Sequence, residues 1–166
     1  MNIADGIIME LQAERVSARE TLSRIPDDQW GFKPHEKSMG LGQLGSHIAE
    51  TFTWIDSIVE NDVFEMDPTA YVPWIASSKE ELLQTFDSNL DGMIAKLQGQ
   101  SDEHLMGTWK MTMGGQVAME MPRVAVIRMF MISHTIHHRA QMTVYLRMLD
   151  VPLPSIYGPS ADEQPA

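Results

Sequence analysis

Two histidines four residues apart, His134 and His138, interrupt an otherwise apolar row that reads Ile127, Met131, His134, His138, Gln141, Tyr145, Leu149. On a helix this spacing projects both rings from one face about a turn apart, where two imidazoles can converge on one metal ion. A third ligand must come from another element. His47 follows Leu44 by one turn and precedes Ile48, so it borders the apolar side of a second helical segment. Taken singly, each is an ordinary hydrogen-bonded core histidine. Three inward imidazoles on two helices all need partners, and one shared ion satisfies them together. Three neutral imidazoles leave a coordination position open, as catalytic sites do and closed structural sites do not. Imidazole donors suit one divalent transition metal, zinc first, with nickel or iron as alternatives. His137 lies about 100° off the row. His35 and His104 read as loop or helix-end residues.

Other metal templates fail. There is no His-Glu-x-x-His, and no Glu is followed three residues later by His as di-iron bundles require. The reverse order, His47-Ile48-Ala49-Glu50, makes Glu50 a partner for a histidine N–H, a fourth ligand or a proton acceptor. Against these stands a solvated helix-face carboxylate. Neither a glycine-rich phosphate loop nor a Gly-x-Ser-x-Gly elbow is present.

The elements that must position these residues follow from periodicity. A first helix is expected from about Ala4 to Arg24, stopped by Pro26, with a short helical turn opening at Pro26-Asp27-Asp28. A second runs from Leu41 to about Asn61, with Leu44, Ile48, Phe52, Ile55 and Val59 on its apolar side. An irregular connection, 62–77, carries Tyr71 and Trp74, unusual for a purely solvated loop. A third helix starts at Ser77 or Ser78, where Glu80 or Glu81 completes a capping box, and stops near Gly99. Its stripe is Leu83, Phe86, Leu90, Met93, Ile94 and Leu97. Trp109, Met111 and Met113, then Val117, Met119 and Met121, alternate with polar residues around Gly114-Gly115, which predicts a small β-hairpin. Pro122 fits the first position of a last helix reaching Leu149, and the Pro- and Gly-rich tail from Val151 lies extended across the surface.

Composition bounds the rest. One domain, 1–166, suits the length, and with no cysteine any metal must be held by nitrogen and oxygen. The formal net charge of −11 repels phosphate backbones, so no nucleic-acid partner is expected. No window approaches a membrane span and the N-terminus lacks a secretory pattern, so a soluble, cytoplasmic protein is expected. Fourteen methionines supply adaptable core filling or, alternatively, a Met-lined ligand pocket.

Leu44-Gly45-Ser46-His47-Ile48-Ala49-Glu50 and His134-Thr135-Ile136-His137-His138-Arg139-Ala140-Gln141 together resemble the DinB/YfiT-like family of candidate metalloenzymes. Ile25-Pro26-Asp27-Asp28-Gln29-Trp30 and the tail Pro154 to Glu163 are also similar to that family. The resemblance covers the order and spacing of the whole chain. It implies an all-α, antiparallel four-helix bundle with a non-standard connection, a divalent metal on His47, His134 and His138, and a homodimer. Many relatives have glycine where Ala140 stands, a change that leaves the ligands intact. Relatives include thiol-dependent transferases and isomerases, beside members with no assigned activity. By that resemblance the chain is expected to activate a low-molecular-weight thiol for S-transfer to a small-molecule substrate. Glu50 is then the proton acceptor, Gln141 orients the incoming anion, and Arg139 binds a carboxylate on the thiol or pairs with an acidic neighbour. The alternatives are hydrolysis by metal-activated water, and a non-catalytic metal- or ligand-binding protein of the stress response.

Overall fold

The structure is a computed structural model that describes residues 1–164. Helix α1, Ile3–Ser23, opens on Asn2, whose side chain accepts the Asp5 N–H, and buries Ala4, Ile7, Leu11, Ala18, Thr21 and Leu22 on one face. A 3₁₀ turn at Asp27–Gln29 follows Pro26. The loop beyond it caps the next helix with main chain: the Leu41 and Gly42 N–H groups donate to the carbonyls of Phe32 and Trp30. Trp30 lies flat against Gly42, where a Cβ would fall 2.1 Å from the indole nitrogen, so only glycine fits.

The second helical rod is broken where one continuous helix was expected. Helix α2, Leu41–Glu50, passes through a 3₁₀ turn at Thr51–Trp54 into α3, Ile55–Glu60. The hydroxyls of Thr51 and Thr53 donate back to the carbonyls of His47 and Glu50, a local competition that tightens the helix at this point. The apolar side still reads through: Leu41, Leu44, Ile48, Phe52, Ile55 and Val59 are all buried. Strand β1, Val63–Glu65, lies inside the connection expected to be irregular.

Helix α4, Lys79–Leu97, begins at Ser78, whose Oγ accepts the Glu81 N–H, while the Glu81 carboxylate accepts from Ser77. Its core face is Leu82, Phe86, Leu90, Met93 and Leu97, so Leu82 rather than Leu83 fills the centre. Gly99, at φ 83°, ends it in the left-handed region. A short helix α5, Asp102–Met106, precedes the expected hairpin, β2 (Thr108–Met113) and β3 (Gln116–Pro122), turned by Gly114-Gly115. The hairpin gains a third strand: β1 pairs parallel to β2, Val63 against Lys110 and Glu65 against Thr112. The chain is thus mostly helical with a small three-stranded sheet, rather than all-α.

The last rod begins at Arg123, one residue later than expected, because Pro122 still belongs to β3 and caps the helix. It comprises α6 (Arg123–Ile127), a π-helical turn at Arg128–Ser133 and α7 (His134–Met148). Helix α1 packs chiefly on α4 and α7, and α2 packs chiefly on the same two. The sequence neighbours α1 and α2 therefore stand at opposite corners, which brings α2 and α7 side by side. The tail beyond Val151 is tied down by the ion pairs Arg24–Glu163 and Arg147–Asp162.

Candidate metal centre and its cavity

Helix α2 carries His47 and α7 carries His134 and His138, and the packing of these helices brings the three rings together. One nitrogen from each lies within 4.8 Å of the other two. His47 Nε2 and His134 Nε2 are 2.8 Å apart and share one hydrogen. A tetrahedral centre with Zn–N lengths of about 2.0–2.1 Å holds neighbouring nitrogens about 3.3 Å apart, so small ring rotations suffice to admit an ion. The donor set fits an N-ligated divalent metal. His138 is prepared for it: its Nδ1–H donates to Gln141 Oε1 at 2.7 Å, which leaves the Nε2 lone pair free.

Electrostatics favour the neutral rings that a metal requires. His134 is pushed down to about 4, by burial first and then by His138, His47 and His137. Burial, and next the His138 charge, lowers His47. His138 is lowered by burial, against the opposing effect of its bond to Gln141. His137 is exposed and lies outside the triad. His104 bonds the Val59 carbonyl and His35 accepts from its own loop at Lys37, as ordinary structural residues do.

The remaining expected site residues separate. Glu50 lies one turn beyond His47 and lines a cavity of about 330 Å³ that also takes in His47 and His134. Tyr71 donates to Glu50 Oε2 at 2.8 Å. Burial of the phenol, and next that carboxylate, push Tyr71 up to about 12, so it stays a donor. Gln141 reaches the site only through His138. Arg139 is not brought to it: buried on another face of α7, it pairs with Glu14 and bonds Ser17 and Tyr157. The acidic-neighbour role is the one the geometry supports.

The rest of the cavity wall is Thr51, Trp54, Met66, Pro68, Met111, Met113 and Phe130, none of which was assigned to the site from sequence. Two signals pointed this way, the methionine content and the aromatic residues of the 62–77 connection. The parallel pairing of β1 with β2 is what collects Met66 and Met111 on one wall, and the π-helical turn places Phe130 there one turn before His134.

The DinB family model matches residues 2–165. The chain belongs to the DinB family. Among relatives, the YrdA protein of Bacillus subtilis (strain 168), described as uncharacterized, is 24% identical over 159 residues, 96% of this chain and 90% of that protein. Of solved structures, a DinB-like protein from Bacillus cereus ATCC 10987 aligns with a TM-score of 0.71 at 20% identity, covering 92% of this chain and 97% of that one. The DinB-like protein YjoA of Bacillus subtilis aligns with a TM-score of 0.69 at 21% identity, covering 90% and 96%. At these identities the structural likeness establishes the fold. The three histidines are this DinB chain's own evidence for a metal. No described helix is long and apolar enough to cross a membrane.

Proposed function

We propose that this DinB-family chain holds one divalent transition metal, zinc first, on His47, His134 and His138, and uses it to activate a small-molecule thiol for transfer to an apolar electrophile. The observation that carries the reading is the juxtaposition of three convergent, neutral imidazoles with a cavity whose wall is mainly apolar. A divalent ion held there supplies Lewis acidity that favours thiolate, the nucleophilic form of a thiol. The sulfur must come from outside, since the chain has no cysteine.

The protein's own groups complete the chemistry. Glu50 is the proton acceptor beside the triad, held in place by the Tyr71 hydroxyl. Gln141 acts through His138 by fixing its tautomer, in place of contacting the anion directly. The methionine and aromatic wall takes the apolar body of the electrophile and excludes water from the nucleophile.

The test is one assay on zinc-loaded protein with alkyl and aryl electrophiles and an ester panel, with and without added thiols. Thiol consumption that requires both metal and His47 is expected. Ester cleavage without thiol points instead to activated water, and metal-dependent turnover in neither panel leaves a binding protein.

A further inference from the structure

Outside the two histidines, three of the side chains that line the cavity carry a polar hydrogen: Thr51, Trp54 and Tyr71. The Thr51 hydroxyl donates to the His47 carbonyl. The Trp54 indole N–H can donate a hydrogen bond but does not yield its proton at neutral pH. The Tyr71 hydroxyl differs from both. It stands 2.8 Å from Glu50 Oε2, on the carboxylate that accepts the thiol proton in the reading above. Among the described residues no lysine or arginine lines the cavity, so Tyr71 is the one acid beside that base.

We infer that Tyr71 is the general acid of this site and that the electrophile is an epoxide, whose opening leaves an oxygen in need of a proton. The inference rests on the cavity being the site of thiol transfer. A halide departs as a stable anion and asks nothing of a donor, whereas an opened epoxide leaves an alkoxide on the product. Burial, and next Glu50, push the Tyr71 phenol up to about 12, so it holds its proton at neutral pH. An alkoxide is a strong enough base to take it.

The pair balances the reaction. The thiol sulfur forms a bond to a ring carbon, and the carbon–oxygen bond breaks with its electron pair going to oxygen. The thiol proton goes to Glu50. The oxygen takes the Tyr71 proton, which Glu50 replaces across their hydrogen bond. The product is a β-hydroxy thioether, nothing is oxidised or reduced, and both side chains end as they began. Placement fits this division of work. Glu50 follows His47 by about one turn of α2, about 4.5 Å along the axis. Tyr71 reaches Glu50 from the connection between β1 and α4. Nucleophile and departing oxygen are thus served by separate groups, as attack on carbon from the side opposite the breaking bond requires.

The experiment follows ethanethiol consumption by the zinc-loaded, full-length chain with styrene oxide and with benzyl chloride, whose chloride leaves without a proton. Tyr71→Phe should lower kcat/KM on styrene oxide about 100-fold or more. On benzyl chloride it should lose no more than about fivefold, the share that comes from loosening Glu50. A second measurement uses calorimetry on the metal-free chain. The styrene oxide product should bind about fivefold tighter than its deoxy analogue, and Tyr71→Phe should bring the two together. Equal losses on both electrophiles, no loss on either, turnover of benzyl chloride alone, or a product bound no tighter than its deoxy analogue overturns the inference and leaves thiol transfer standing. Turnover of neither electrophile sinks thiol transfer itself, and the acid role with it.

Discussion

Helix α7 carries two polar clusters one residue apart, and they are built to opposite ends. On one face His134 and His138 meet His47 with their rings neutral and their lone pairs converging. On another, Arg139 is buried against Glu14, Ser17 and Tyr157, with the guanidinium also 5.1 Å from the Tyr157 ring centre. The arginine cluster is closed, each charge meeting an opposite charge or a hydroxyl. The histidine cluster is open, holding more acceptor capacity than the side chains around it satisfy. A buried polar network that completes itself specifies structure, and one left incomplete is free to take a ligand.

Substitutions separate the two. His138→Ala should reduce bound metal from about one ion per chain to background, while His137→Ala keeps it, as read by elemental analysis. Equal loss in both, or retention in both, breaks the assignment. On the closed side, Arg139→Met leaves the partly buried Glu14 with the Tyr157 hydroxyl alone and should cost about 1.5–3 kcal/mol in urea denaturation. The double replacement with Glu14→Met should recover most of that, and metal content should stay at wild type in both. Gln141→Ala tests the link between ligand and tautomer. It should weaken metal affinity about 10–100-fold in a competition titration with little change in unfolding midpoint.

The smallest expected effect is on pH. His134 falls from an ordinary 6.5 to about 4 in the folded chain, and His47 and His138 are also lowered. Between those values the unfolded chain binds protons that the folded chain refuses, so metal-free protein should lose stability as pH falls from 6.5 toward 4. Denaturation midpoints at pH 7.5, 6.5 and 5.5 check the sign, and His134→Leu should flatten the slope. A midpoint that rises on acidification over that range contradicts the open, neutral picture.

Much of this was legible in the chain. The triad followed from an i, i+4 pair in an apolar row plus one inward histidine on another helix, because helical geometry is local and regular. The Ser78 cap and the Gly114-Gly115 hairpin were legible for the same reason. Strand β1 was not: Val63-Phe64-Glu65 is too short to show a period, and its partner lies beyond α4. The π-helical turn at Arg128–Ser133 has no proline or glycine to mark it, and a hydrophobic row read at 3.6 residues per turn passes over it. The breaks at Thr51–Trp54 escaped likewise, since the apolar positions continue through them. The cavity wall was hidden because Trp54, Phe130, Met66 and Met111 meet only after three such irregularities are in place.

The parallel register of β1 has a consequence for the order of opening. Val63 finds Lys110 across the whole of α4, whereas the helical rods that carry the triad form from near-neighbour contacts. A short edge with few pairs opens at lower cost than rods packed along their length, so it is expected to reopen first. Three residue pairs form its ladder, flanked by the bonds Lys110 N–H to Asp62 and Met66 N–H to Thr112, and the Glu65 carboxylate accepts from the Thr112 hydroxyl and the Gly115 N–H. Its release carries Met66, Pro68 and Tyr71 off the cavity while the helices beneath stay shut. Amide exchange should accordingly be faster at Lys110 and Met66 than at Leu44 or Met142, with the wall breathing as a unit of lower local stability than the bundle that seats the histidines.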